Sequence, residues 1–220
     1  MVHDAKFKSI SDMLFSFIIN VRLLLLNNRN YCDNDIIYFF FTGKRKLQTH
    51  YKELLLSGKC CDVTIKVQNK RFKCHRGILS VRSPVFSAMF EHDVQEEIND
   101  KIIVKDVDST IFQEFLLYLY TGSEEHLSMG NVIDLYKLAD KYTVEDLKDV
   151  CVDHIKENIT LENFCEFFLL SQQYNDSNLT DVTKKFFLKN SKEIVHHESW
   201  IKLLSENPVQ SNILITALTE

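Results

Sequence analysis

FKCHRGILSVRSPVFSAMF, Phe72 to Phe90, is the stretch on which the fold turns. Its start completes a hairpin. Asp62-Val63-Thr64-Ile65-Lys66-Val67 alternates, with Val63, Ile65 and Val67 on one face, and Arg71-Phe72-Lys73-Cys74 returns after the turn Gln68-Asn69-Lys70. Alternation of this kind buries one face of a sheet and wets the other. His75 to Val81 then reads as a short helix. Ser83-Pro84 opens another, because serine is a preferred N-cap and proline in the first turn gives up only an N–H that would be unpaired anyway. Asn207-Pro208 repeats the device, so both prolines of the chain mark predicted helix starts.

Upstream, Leu47, Tyr51, Leu54 and Leu55 fall at i, i+4, i+7 and i+8 of a helix predicted from Lys44 and ended by Gly58. That apolar stripe has no partner nearby in sequence. Downstream, Ile102-Ile103-Val104 reads as a short buried strand, and Ser109 to Tyr120 as a helix stopped at Thr121-Gly122. After Gly130 the pattern is helical throughout: Val132 to Lys141, Val144 to Asn158, Leu161 to Gln173, Leu179 to Asn190, Ser199 to Glu206 and Pro208 to Leu218. Thr143 and Thr160 stand where N-caps belong, each followed by acids that complement a helix dipole. These elements make an α+β unit followed by an all-helical one, with a boundary near residue 158.

A chain of 220 residues accommodates two modest domains. Its 45% apolar and 26% charged residues are ordinary for a folded protein, and five Gly with two Pro favour helices over tight hairpins and phosphate loops. A net charge of −5 argues against a nucleic-acid surface, and the cluster Lys44-Arg45-Lys46 is too short to reverse that. The six cysteines, Cys32, Cys60, Cys61, Cys74, Cys151 and Cys165, are irregularly spaced in apolar settings and read as reduced core thiols. Near the start, Met13–Leu26 carries Arg22 and Ile36–Phe41 is short, so neither apolar run spans a bilayer or makes a signal peptide, and no membrane role is expected.

The chain carries no Walker loop, GxGxxG, GxSxG, HExxH or EF-hand loop, and the expectation is a protein that is not an enzyme and needs no cofactor. Cys60, Cys61, Cys74 and His75 could be imagined as four zinc ligands, but their spacing departs from paired CxxC, and core packing is the preferred reading over metal. His196-His197-Glu198 reads as a solvated helix joint, since adjacent helical residues point apart.

Phe72 to Phe90 resembles the signature of BTB/POZ domains, F-x-x-H-[KR]-x-[IV]-L followed by S-x-[VY]-F-x-x-[ML]-F. Asp62, Asp106-Val107-Asp108, Leu119-Tyr120-Thr121-Gly122 and Leu138-Ala139-Asp140-Lys141-Tyr142 continue the resemblance in order. SPVFSAMFE and ADKY are most similar to the speckle-type POZ and TD-and-POZ group, and the helices from Asn158 to Leu218 to the BACK-like tail of that group. The resemblance implies a small β-sheet flanked by helices, with residues 1–43 a divergent extension, 44–158 the BTB/POZ domain and 159–220 the helical tail. Members of the group carry an upstream MATH domain, whose strands are not seen in residues 1–45.

Two interaction surfaces follow from the resemblance. Leu47, Tyr51, Leu54 and Ile78 fall where the family packs two copies across a two-fold axis, with a polar cluster of Asp62, His75 and Arg76 close by. Burying each such apolar side chain contributes about 1.5–3 kcal/mol, enough in a symmetric pair to drive a dimer. The alternatives are packing within the chain for the stripe, and ordinary capping and surface charge for the cluster. Val94-Gln95-Glu96 stands where relatives present an apolar residue and an acid to cullin-3, with Tyr118 and Tyr120 in the following helix as further contacts or as core. Ile215 replaces an aromatic residue that relatives use in tail-to-tail assembly. The implied role is a dimeric adaptor of a cullin-3 ubiquitin ligase in nucleus or cytoplasm, with itself, related BTB proteins, cullin-3 and ubiquitination substrates as partners. The alternatives are a regulatory partner that heterodimerises with full-length relatives and a transcription-related POZ scaffold.

Overall fold

The computed structural model describes residues 33–92 and 101–218. In chain order the elements are α1 (Asp33–Ser57), β1 (Val63–Val67), β2 (Lys70–Cys74), α2 (Arg76–Arg82), α3 (Pro84–His92), β3 (Lys101–Val104), α4 (Ser109–Thr121), α5 (Val132–Lys141), α6 (Glu145–Asn158), α7 (Phe164–Gln173), α8 (Ser177–Ile194), α9 (Glu198–Glu206) and α10 (Pro208–Thr216). The architecture is α+β, with one small sheet and a helical majority. The chain divides into two units after Tyr51, and the second holds every element from β1 onward. The helix predicted from Lys44 begins at Asp33.

The sheet has the order β2-β1-β3, with β1 antiparallel to β2 and parallel to β3. The hairpin turn is the two residues Gln68-Asn69, because Val67 pairs with Lys70. Gln68 takes φ 52° there, and its side chain accepts a hydrogen bond from the Ser109 N–H that opens α4. Val63, Ile65, Val67 and Cys74 are buried on the helix side of the sheet, as their alternation requires. Ile103 is 64% exposed, which corrects the reading of its strand as buried throughout: β3 turns Val104 to the core and Ile103 outward.

Ser83 begins α3 as its sequence predicts. Its buried Oγ accepts from Phe86 N–H at 3.2 Å and donates to the Tyr142 carbonyl at 2.6 Å. Phe86 stacks on Tyr142 behind that pair, with ring centroids 4.5 Å apart. Helix α4 is capped by Asp108, whose carboxylate accepts from Thr110 N–H, and it stops at Gly122 in the left-handed conformation, φ 60°. Neither Thr143 nor Thr160 acts as a cap. Thr143 takes φ 53° in the α5–α6 turn, and the Asn163 side chain accepts from Thr160 N–H instead. The side-chain caps of the tail are Asp176, which receives Leu179 N–H at the start of α8, and His197, which receives Ser199 N–H at the start of α9.

Two apolar clusters result. The larger covers the sheet and helices α2 to α6, and the smaller gathers Phe164, Phe168, Phe187, Trp200, Leu203 and Leu214 from the tail. Helix α7 serves both, sending Phe167 and Leu170 into the first and Phe164 and Phe168 into the second, which is why its sequence FCEFFLLSQQ is apolar on most sides. Helix α8 bends at Asn190, where the side-chain amide donates to the Phe186 carbonyl one turn back. No helix among the described residues is long and apolar enough to cross a membrane.

Candidate functional site

Among the described residues the apolar stripe of α1 is exposed in part. Leu47 is 57% and Tyr51 39% exposed, Leu54 is half-buried, and only Leu55 among the four packs against the larger core. Ile78, half-buried on α2, also packs against that core.

Of the polar residues Asp62, His75 and Arg76, the first and last bond to each other and His75 bonds to other partners. Asp62 Oδ1 accepts the Arg76 backbone N–H at 2.7 Å, so the carboxylate caps α2 from across the hairpin, where the helix's own N-cap residue, His75, offers no side-chain bond. Arg76 lies over the Phe90 ring at 5.1 Å, joining α2 to the end of α3. His75 is held on three sides. Its Nε2 stands 2.7 Å from the Lys59 carbonyl, which only accepts, so Nε2 carries the proton. Nδ1 is then the acceptor for the Tyr120 hydroxyl at 2.8 Å, and the same hydroxyl accepts the His75 backbone N–H at 2.9 Å. The tautomer follows from the partners, and every polar atom of the ring is used.

Tyr118 and Tyr120 are placed in the core, 7% and 6% exposed, the second of the two readings their sequence left open. Burial first, and the nearby Cys74 thiol next, push the Tyr120 hydroxyl above the usual phenol range, which keeps it a neutral hydrogen-bonding group. Tyr118 donates to Asp146 at 3.2 Å, and the same carboxylate oxygen receives Arg82 Nη2 at 2.7 Å while the Arg82 guanidinium sits 5.6 Å from the Tyr118 ring centroid. Arg82 Nε also donates to the Leu119 carbonyl. Helices α2, α4 and α6 are thereby tied together behind the surface. Val94 and Glu96 lie outside the described residues.

Cys60 is exposed and Cys61 half-exposed, so the reading of the cysteines as core thiols holds for Cys74, Cys151 and Cys165 and fails at Cys60, while Cys32 lies outside the described residues. Cys60 sits at φ 56° in the turn between α1 and β1. Burial pushes the Cys74 thiol up to about 12, with Cys61 and Asp62 adding to the effect. Among the described residues no group of three or more His, Cys, Asp or Glu is arranged to hold a metal ion. The roles of Tyr120 and the Lys59 carbonyl were not legible beforehand, since a tyrosine forty-five residues from a histidine announces no contact.

A second polar junction, unforeseen from the sequence, links α5 and α6 to the tail. Tyr136, fully buried, donates to Asp176 at 2.6 Å, and Lys148 reaches Asp140 at 2.7 Å and Asp176 at 3.9 Å while lying 5.3 Å from the Tyr136 ring centroid.

Residues 51–159 match the family model of the BTB/POZ domain. The chain is 30% identical over 163 residues to TD and POZ domain-containing protein 4 of Mus musculus, covering 74% of this chain and 44% of that protein. It is 28% identical over 193 residues to protein maternal effect lethal 26 of Caenorhabditis elegans, covering 87% of this chain and 49% of that protein. The chain thus spans about half the length of the curated relatives it matches. Among solved structures, the BTB domain of zebrafish PATZ1 superposes with a TM-score of 0.45 at 18% identity, covering 53% of this chain and 93% of that one.

Proposed function

The chain belongs to the BTB/POZ-domain family, and from that premise we propose that it works as a dimeric adaptor that joins a cullin-3 ubiquitin ligase without contributing chemistry of its own. BTB/POZ domains are protein-interaction modules, and pairing with like domains is their general activity. The observation that carries the proposal is the partly exposed stripe on α1. Leu47 and Tyr51 are apolar, at helical spacing, and exposed in the single chain, inside and beside a domain whose relatives pair. Covering the stripe with its symmetry mate removes two sets of apolar side chains from water, at about 25 cal/mol per Å² of area.

Support for cullin-3 is the element Val94-Gln95-Glu96, an apolar residue and an acid shortly after α3 in a matched domain. In this reading Val94 is the apolar contact to cullin-3 and Glu96 the acidic one, while Tyr118 and Tyr120 hold α4 in place through Asp146 and His75. The helices after residue 159 act as a BACK-like tail that extends the same assembly.

Sedimentation at micromolar concentration and a binding titration with the cullin-3 N-terminal region test both halves. The expected results are a dimer mass that Leu54→Asp with Tyr51→Asp converts to a monomer, and cullin binding that Val94→Asp with Glu96→Lys weakens about tenfold or more without altering dimer mass. A monomeric native chain overturns the pairing. Cullin binding that is absent, or indifferent to the Val94 and Glu96 changes, overturns the adaptor role.

A further inference from the structure

Strand β2 is an edge: it pairs with β1 on one side and with no strand on the other among the described residues. A two-residue turn makes Val67 and Lys70 the hydrogen-bonded pair of the hairpin, so bonded and non-bonded pairs alternate from there and Arg71 and Lys73 turn their backbone N–H and C=O groups away from β1. Beside this row lies a cleft of about 440 Å³ between the end of α1, strand β2 and helix α4. Its lining is two-sided. Leu55, Phe72, Leu116 and Leu117 give it an apolar wall, whereas Lys70, Arg71 and Lys73 bring three cations, and among the described residues no acidic one lines it. Leu56, at the rim, is 63% exposed.

We propose that this edge binds an extended segment of a partner protein in which acidic and apolar residues alternate, added to the sheet as a strand next to β2. Side chains of a strand point alternately to opposite faces, so a neighbour of β2 sends every second residue toward Phe72 and the α4 wall and the intervening ones toward Arg71 and Lys73. Acidic residues at the second set meet opposite charge across the strands, and apolar ones at the first set meet the wall. The local charge runs against that of the chain, which is −5 overall, so the edge stands out as a cationic strip on an acidic protein. A second copy of the same edge is a poor occupant, because antiparallel pairing of two β2 strands sets Arg71 and Lys73 against their own kind. Glycine at 58 keeps the strip in place. Its φ of +58° suits the end of α1, and a Cβ there would stand 3.2 Å from Lys73 Cδ, so the lysine stem lies along the bare Cα.

The test is fluorescence anisotropy with a labelled eight-residue peptide alternating glutamate and valine, titrated with the full chain. Saturable binding is expected, weakened about tenfold or more by Arg71→Glu with Lys73→Glu, and weakened several-fold by raising salt from about 0.05 to 0.5 M. The same peptide N-methylated on alternate amides, which keeps charge and side chains but blocks strand pairing on one edge, is expected to lose binding by a similar factor when the methyls fall on the pairing edge. Equal binding of both methylation registers, equal binding of a lysine–valine peptide, or no binding at all overturns the proposal and leaves the cations as guards against edge-to-edge aggregation. Because the methylated peptides act on unaltered protein, the outcome stands even where the double variant folds poorly. Dimer mass, followed in parallel by sedimentation, is expected to be unchanged by peptide, so a failure here is separable from a failure of pairing.

Discussion

Replacing Tyr120 by phenylalanine removes one oxygen and leaves the ring, whose centroid lies 5.8 Å from that of His75, in place. The hydroxyl has two duties, accepting the His75 backbone N–H at 2.9 Å and donating to Nδ1 at 2.8 Å. Without it the N–H has no acceptor and Nδ1 no donor, in a site closed on the other side by the Lys59 carbonyl. A buried polar group deprived of its partner costs about 1–3 kcal/mol, and this one is part-buried, so the two losses together come to about 2 kcal/mol. For a chain of this size that lowers the thermal midpoint by about 4–8 °C. Urea unfolding followed by circular dichroism is the direct assay, with a lower midpoint at unchanged slope as the expected result. A loss below about 0.5 kcal/mol refutes the reasoning, because it would mean that water or another group replaces the hydroxyl at no cost. His75→Gln is the complementary variant, and its effect should fall short of additive with Tyr120→Phe, since the two remove the same bond.

At the junction with the tail, Asp176→Ala strips the α8 cap and the acceptor of buried Tyr136 together, for an expected loss of about 2–4 kcal/mol in unfolding free energy, with Asp176→Asn losing less because it keeps the cap. Alkylation with iodoacetamide at pH 8, read by mass spectrometry, should label Cys60 and Cys61 and spare Cys74 and Cys151, whose thiols are both pushed up to about 12 by burial and hold almost no thiolate; rapid labelling of Cys74 would contradict its placement. Lost hydration and the Glu145 and Asp153 carboxylates raise the Asp149 carboxyl above its ordinary value, so the folded state binds this proton more tightly than the unfolded one. The resulting penalty is present at neutral pH and lifts as pH falls through the raised value. Asp149→Asn should therefore stabilise slightly at pH 7, with the gain fading in acid, as melting curves across pH would report.

What could be read beforehand was whatever is written in local spacing. The Ser83-Pro84 start of α3, the Gly122 stop of α4 and the inward face of β1 each rest on residues within a turn of one another, and each stands as the pattern requires. The failures are equally local in cause. Thr143 and Thr160 have cap-forming side chains, but the chain turns at Thr143 through a left-handed residue that ties Val144 N–H back to the Ala139 carbonyl, so no threonine oxygen is needed there. Asn163 supplies the side chain near Thr160. Ile103 looks buried in a run of three apolar residues because an apolar run does not say which face is wet; the parallel pairing with β1 decides it. The polar contacts of the site, from Asp62 to Arg76, Tyr120 to His75 and Asp146 to Arg82, span fourteen to sixty-four residues and exist only once the core has brought the elements together.

Helix α2 shows why those distant contacts matter to an interaction surface. At seven residues it is too short to persist alone, because nucleation costs more than two turns return, and its own N-cap contributes no side-chain bond. Its first turn is held by Asp62, its N-cap residue by Tyr120, and its last residue, Arg82, by the Leu119 carbonyl and Asp146. Tyr120 and Leu119 are neighbours on α4, so both ends of α2 are pinned to the same buried turn of one helix. Ile78 is thus carried on an element whose position is set from behind. A partner that presses on Ile78 meets the stiffness of α4 and the sheet, not that of a two-turn helix. The preorganisation lowers the ordering cost of any interface formed there.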